Sequence, residues 1–118
     1  MALIWISHDL GVVASLADRI AVMYAGRIVE TGATDDVLDR PAHPYTRGLM
    51  EALPANAARG ARLHPIPGLS PSPLARPAGC AFRTRCFAAS EVCQQEPKPQ
   101  GVSHSFRCHH PLLPGVAA

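Results

Sequence analysis

The sequence predicts an α/β fold in two parts: a strand-helix-hairpin-helices unit, then a small loop-rich four-cysteine domain. Three observations predict it. A continuous apolar run at residues 3–6 leads straight into apolar residues at helical spacing, then into a segment rich in branched side chains that ends on Ala25-Gly26. Ten of the twelve prolines lie at or after Pro54, and all four cysteines lie between Cys80 and Cys108. Charge divides at the same place, with four Arg and seven acids in residues 1–53 against six Arg, one Lys and two acids in residues 54–118. The formal net charge of +2 thus combines an acidic half of −3 with a basic half of +5. These shifts place a boundary near Leu53 and Pro54. The expected units are residues 1–53, a Pro-rich linker over 54–79 and a cysteine-rich domain over 80–118.

Element by element, residues 3–6 read as a short strand buried on both faces of a sheet. Asp9 suits the first turn of the next helix, where a carboxylate meets the positive end of the macrodipole. Leu10, Val13, Ala14 and Ala17 recur at helical spacing, and Asp18 marks the exit. Residues 19–24 are rich enough in branched residues for a strand. Ala25-Gly26 predicts a tight turn into a second strand over 27–31, because glycine tolerates the positive φ of hairpin turns. Thr34 is placed as the N-cap of a short helix ending before Pro41, with Asp35 and Asp36 in its first turn. Pro44 suits the first position of another helix that carries Tyr45, Leu49 and Leu53 on one side. Pro65, Pro67, Pro71, Pro73 and Pro77 exclude a helix or central strand there and predict a stiff strap. Residues 80–112 are too poor in apolar side chains to hold together without a staple.

Composition also limits function. The arginines of the basic half are scattered among prolines, with only Phe82, Phe87 and Phe106 as aromatic faces, which argues against nucleic acid. Arg83, Arg85 and Arg107 lie beside cysteines and point instead to a local anionic target. No apolar stretch approaches the roughly 18 residues that span a bilayer. Five apolar residues without a basic lead do not make a secretory signal. The expected compartment is therefore the cytosol, where clustered cysteines serve metal or redox chemistry more often than structural disulfides.

The run Ile6-Ser7-His8-Asp9-Leu10, followed by Met23-Tyr24-Ala25-Gly26-Arg27-Ile28-Val29-Glu30, resembles the histidine switch region of an ABC-transporter ATPase. His43-Pro44-Tyr45-Thr46-Arg47-Gly48-Leu49 narrows the resemblance to the ATP-binding subunits of dipeptide/oligopeptide (peptide/nickel) ABC importers. Residues 1–53 are thereby expected to be the C-terminal end of an ABC ATPase core. The resemblance implies that His8 is catalytic in an intact parent, where it hydrogen-bonds the γ-phosphate of ATP, bound with Mg, and helps position the attacking water. Phosphoryl transfer rests mostly on such positioning and charge stabilisation. The sequence has no G-x-x-x-x-G-K-[ST] loop, its only lysine being Lys98 between Pro97 and Pro99, and no signature or Walker B segment. The isolated chain is expected neither to bind nor to hydrolyse ATP. Because Met1 immediately precedes the switch strand, a truncated gene, a split gene or a displaced start is expected. A strand without its sheet also predicts an unstable or aggregation-prone fragment.

Cys80, Cys86, Cys93 and Cys108 are spaced C-x5-C, C-x6-C and C-x14-C. None is the C-x2-C knuckle usual in structural zinc sites. Four thiolates from irregular loops suit an iron–sulfur cluster, and zinc, unligated thiols and disulfides stay open as alternatives. Gly79 permits close backbone approach beside Cys80. Arg83, Arg85 and Arg107 are expected to lower thiol pKa values, and His104, His109 and His110 lie near enough in sequence to Cys108 to replace a thiolate in a zinc site. Pro71-Ser72-Pro73-Leu74 with Gly79-Cys80-Ala81-Phe82-Arg83-Thr84-Arg85-Cys86 resembles the C-terminal extension of the same importer ATPases. That resemblance implies that the four cysteines ligate a [4Fe–4S] cluster. It also implies a second ABC ATPase subunit and transmembrane permease subunits as partners, at the cytoplasmic face of the cell membrane. The rival reading is a free-standing iron–sulfur or zinc-binding module with accessory or regulatory function.

Overall fold

A computed structural model of the chain describes residues 2–53, 60, 65–72 and 74–112. The remaining residues of the expected linker and tail (54–59, 61–64, 73 and 113–118) lie outside the described residues. The order of elements is α1 (Leu10–Leu16), β1 (Arg19–Tyr24), β2 (Arg27–Ala33), α2 (Thr34–Asp39), α3 (Pro44–Glu51) and β3 (Ser105–Phe106). The three strands form one antiparallel sheet in the order β1-β2-β3.

The hairpin is the best-specified part. Ala25 and Gly26 both have positive φ, at 50° and 81°, and Tyr24 pairs directly with Arg27. A two-residue loop with both residues left-handed matches the twist of its flanking strands. Along β1 burial alternates, with Ile20, Val22 and Tyr24 facing inward. The register then slips: Val22 pairs with Glu30 but Met23 with Ile28, leaving Val29 as the extra residue of a β-bulge. A bulge breaks strict alternation. As a result Val29 and Glu30, though consecutive, are both buried.

The short helices are set by local hydrogen bonds. The Asp9 carboxylate accepts from the Val12 N–H at 3.2 Å and caps α1. Thr34 is not the cap of α2 but its first residue. Its hydroxyl instead donates to the Ala17 carbonyl at 2.6 Å, and its N–H donates to the Asp18 carbonyl at 3.0 Å. Those two bonds fix α2 against the end of α1. Pro44 opens α3 as expected, after an N-cap at His43 whose Nδ1 accepts from the Tyr45 N–H at 3.0 Å. Leu53 lies beyond the end of α3.

One expected element does not form. Leu3, Ile4, Trp5 and Ile6 make no strand and are 78%, 89%, 56% and 92% exposed. A strand buried on both faces needs neighbours to take its backbone hydrogen bonds. Among the described residues the sheet consists of β1, β2 and β3 alone, and this run is not hydrogen-bonded into it.

The two compositional halves share one core. Ile20, Val22, Tyr24, Val29 and Val37 of the first half pack with Ala81 and Phe82 of the second. Phe82 lies 5.2 Å from Tyr24, 5.3 Å from Tyr45 and 5.9 Å from His43, centroid to centroid. β3 adds itself to the free edge of β2, pairing Phe106 with Glu30 and Ser105 with Thr31. The expected strap is tied down by Arg85. Its guanidinium donates to the Pro67 carbonyl at 2.8 Å, and more weakly to Ile66 and Ser70, while lying over the Tyr24 ring.

Candidate functional site

The four cysteines come from four loop positions around this core. Cys80 precedes a 3-10 turn at Ala81–Thr84, Cys86 follows it, Cys93 lies in a second 3-10 turn at Glu91–Gln94, and Cys108 follows β3. Cys80 and Cys93 are joined through the backbone, the Cys80 N–H donating to the Cys93 carbonyl at 2.9 Å. Gly79 makes that approach possible. It has a φ of 73°, and a Cβ there would lie 2.4 Å from the Gln94 backbone. No L side chain is accommodated at such a position.

Burial pushes the thiols of Cys80 and Cys86 up from their ordinary pKa, and pushes Cys108 up to about 12. Neighbouring thiols add to the shift, Cys80, Cys86 and Cys93 all acting on Cys108. The other three thiols are therefore near enough to oppose the ionisation of Cys108. Backbone N–H groups work the other way. Ala88 donates to the Cys86 sulfur at 3.4 Å and His110 to the Cys108 sulfur at 3.3 Å, and the amides of Phe82 and Arg83 favour the Cys80 thiolate. All four sulfurs are free of disulfides. Among the described residues no three His, Cys, Asp or Glu side chains converge on one metal-binding point.

The chemistry of this donor set fits a thiolate-bound centre. The four side chains are soft sulfur donors that do not converge on one point among the described residues, and amide N–H groups aimed at sulfur stabilise the ionised form at Cys80, Cys86 and Cys108. Burial holds the protons of Cys80, Cys86 and Cys108 tightly, so loading of any such centre releases protons and strengthens as pH rises.

The expected lowering by arginine is not seen at Cys80, Cys86 or Cys108, where no arginine is among the causes of the shift. Arg83 instead donates to the Ala78 carbonyl at 3.0 Å, and Arg85 serves the strap. Their side chains satisfy backbone carbonyls of proline-interrupted segments, where no ladder hydrogen bonds exist. The three histidines each use Nε2 elsewhere: His104 on the Glu30 carboxylate, His109 on the Gln95 carbonyl at 2.8 Å and His110 on the Ser90 hydroxyl at 2.6 Å.

His8 lies away from this cluster in sequence, exposed on the bend just before the cap Asp9. Among the described residues it has no hydrogen-bond or ion-pair partner.

Two buried polar residues were not singled out by the sequence. Glu30 is 1% exposed, and its carboxylate accepts from the Ala42 and His43 N–H groups, each at 2.9 Å, as well as meeting His104. It thus joins β2, the start of α3 and the cysteine-bearing half at one point. Its signal was faint: an acid at an inward position, produced only by the bulge. His43, also 1% exposed, has its pKa lowered by burial to about 4. It is therefore a neutral cap at physiological pH. The unfolded chain takes up a proton at the ordinary value of 6.5 and the folded chain only near 4. Stability is accordingly full above pH 6.5 and falls on acidification by about 1.4 kcal/mol per pH unit across that interval. Melting curves between pH 7 and pH 5 should show a steeper loss for the wild type than for His43→Asn, which keeps a cap acceptor without titrating. Parallel curves would rule out this role.

With the geometry in view, the relatives place the chain. The family described as oligopeptide/dipeptide transporter, C-terminal region, matches residues 29–93. The dipeptide transport ATP-binding protein DppD of Haemophilus influenzae is 46% identical over 114 residues, covering 95% of this chain and 34% of that protein. The oligopeptide transport ATP-binding protein OppD of Salmonella typhimurium is 46% identical over 102 residues, covering 86% of this chain and 30% of that protein. DppD of Bacillus subtilis is 43% identical over 127 residues, covering 99% and 38%. The chain spans about a third of the length of these relatives. It belongs to the oligopeptide/dipeptide transporter C-terminal-region family, and matches the C-terminal part of peptide ABC transporter ATP-binding proteins.

Proposed function

We propose that this chain is the C-terminal part of a peptide-importer ATP-binding subunit and carries a thiolate-bound [4Fe–4S] centre on Cys80, Cys86, Cys93 and Cys108. The observation that carries the first half is identity of 46% across nearly the whole chain with a dipeptide transport ATP-binding protein. In an intact parent the machinery would couple ATP hydrolysis to uptake of di- or oligopeptides, or of nickel, with a second ATPase subunit and permease subunits as partners. Among the described residues no helix is long and apolar enough to cross a membrane; association with the membrane would run through the permease. His8 is the switch histidine in this reading, supplying an N–H to a phosphate oxygen of ATP held with Mg. Its exposed position ahead of the α1 cap supports that role.

The four soft thiol donors, near enough for Cys80, Cys86 and Cys93 to act on Cys108, and the amide N–H groups aimed at sulfur support the cluster. When bound, it supplies a one-electron couple and cross-links four loop positions. The chain's own contribution is to hold the sulfurs close through Gly79 and the Cys80–Cys93 backbone bond, and to offset thiolate charge with amide dipoles.

Anaerobic purification with metal and sulfide analysis tests the reading. Iron with acid-labile sulfide and a brown chromophore are expected, and Cys86→Ser should bleach it and lower the melting temperature of the loaded form. Stoichiometric zinc without colour would overturn the cluster and favour the zinc module. An unchanged spectrum in Cys86→Ser would remove Cys86 from the ligand set.

A further inference from the structure

A narrow cleft beside Phe82 carries more positive charge than its neighbours balance. Its walls include Tyr24, Arg27, Arg76, Glu96 and Arg107, and its volume is about 20 Å³. Three elements bring the arginines together. Arg27 opens β2, Arg76 lies in the strap just before Pro77, and Arg107 follows β3, where its N–H donates to the Val29 carbonyl at 2.8 Å. One carboxylate is present. Glu96 pairs with Arg27 at 2.5 Å. Arg76 and Arg107 have no ion-pair partner among the described residues, and Arg76 Nε is buried without a hydrogen-bond acceptor.

Such an arrangement is costly as it stands. Guanidinium groups sharing a cleft repel one another, and a buried N–H without an acceptor forfeits its hydration. An oxygen anion removes both penalties. The guanidinium fork matches oxyanions with paired hydrogen bonds, which a point charge such as lysine does not reproduce. A volume able to hold about one water-sized group excludes bulky acids and admits one or two oxygens of a small anion, the remainder staying at the mouth.

The geometry points to a binding site for a small tetrahedral oxyanion, phosphate or sulfate in size, received by Arg76 and Arg107, with Glu96 holding Arg27 in competition for it. Cys80 also lines the cleft, so the anion would lie beside the cysteine cluster, and its occupancy is read without activity.

The test is titration of the full chain with inorganic phosphate, followed by calorimetry and melting temperature, against sodium chloride at matched ionic strength. Saturable binding of phosphate with a rise in melting temperature is expected. The Arg76→Gln/Arg107→Gln double variant should bind at least tenfold more weakly. Glu96→Gln should bind several-fold more tightly, because it frees Arg27 to face the anion. Should the double variant fail to fold by circular dichroism, Arg107→Lys decides. It keeps the charge and loses the fork, so a several-fold weakening supports the site and unchanged affinity overturns it. Equal responses to phosphate and chloride, or weaker binding by Glu96→Gln, would overturn the proposal. Acetate binding as tightly as phosphate would overturn the tetrahedral assignment.

Discussion

Phe82→Ala is expected to destabilise the folded chain by about 3–5 kcal/mol, read as a fall in the urea midpoint. Phe82 is 3% exposed and touches both tyrosines of the first half, Tyr24 edge-on and Tyr45 tilted. Its removal deletes a large apolar group and opens a cavity where the halves meet. Collapse cannot fill the gap, because Tyr24 is held in β1 and Tyr45 in α3. Small domains have only about 5–15 kcal/mol in total, so much of the population should unfold under mild denaturant. Phe87→Ala is the control: Phe87 is 74% exposed, and its loss should change stability by no more than about 0.5 kcal/mol. Equal midpoints for the two variants would show that Phe82 is not the hub.

Glu30→Ala should be comparably damaging for a different reason. It leaves the Ala42 and His43 N–H groups buried without an acceptor and strips His104 of its partner. Each orphaned buried donor costs about 1–3 kcal/mol. Glu30→Gln retains an acceptor oxygen and should lose clearly less in the same denaturation measurement. If alanine and glutamine were equivalent, the carboxylate would not be the point that fastens α3 to β2.

What the sequence revealed follows from how local each signal is. Residues 19–24 alternate, Ala25-Gly26 supplies two left-handed positions and Pro44 pre-sets a helical φ, so each element is specified within a few residues. The failures are non-local. Residues 3–6 have a strand's composition, but a strand requires a neighbour, and composition carries no information about one. β3 is two residues long, too short for any periodicity, and exists because β2 offers it an open edge. The site shows the same divide. Gly79 announced a close approach beside Cys80, and the structure supplies the contact in the backbone of residues 93 and 94. The burial that raises the thiol pKa values, and the diversion of Arg83 and Arg85 to backbone carbonyls, depend on partners distant in sequence.

The pairing of Glu30 with Phe106 also fixes an order in time. A hairpin closed by a two-residue loop forms within roughly 1–10 μs, whereas closing the long span between β2 and β3 must first overcome the entropy of the chain between them. On the ribosome the disparity is larger still, since β2 is made long before β3 emerges. Throughout that interval the outer edge of β2 presents unpaired amides and carbonyls, the state in which nascent strands seek wrong partners. Completion of the sheet thus waits on a long-range closure, and it covers the edge at which misassembly would begin.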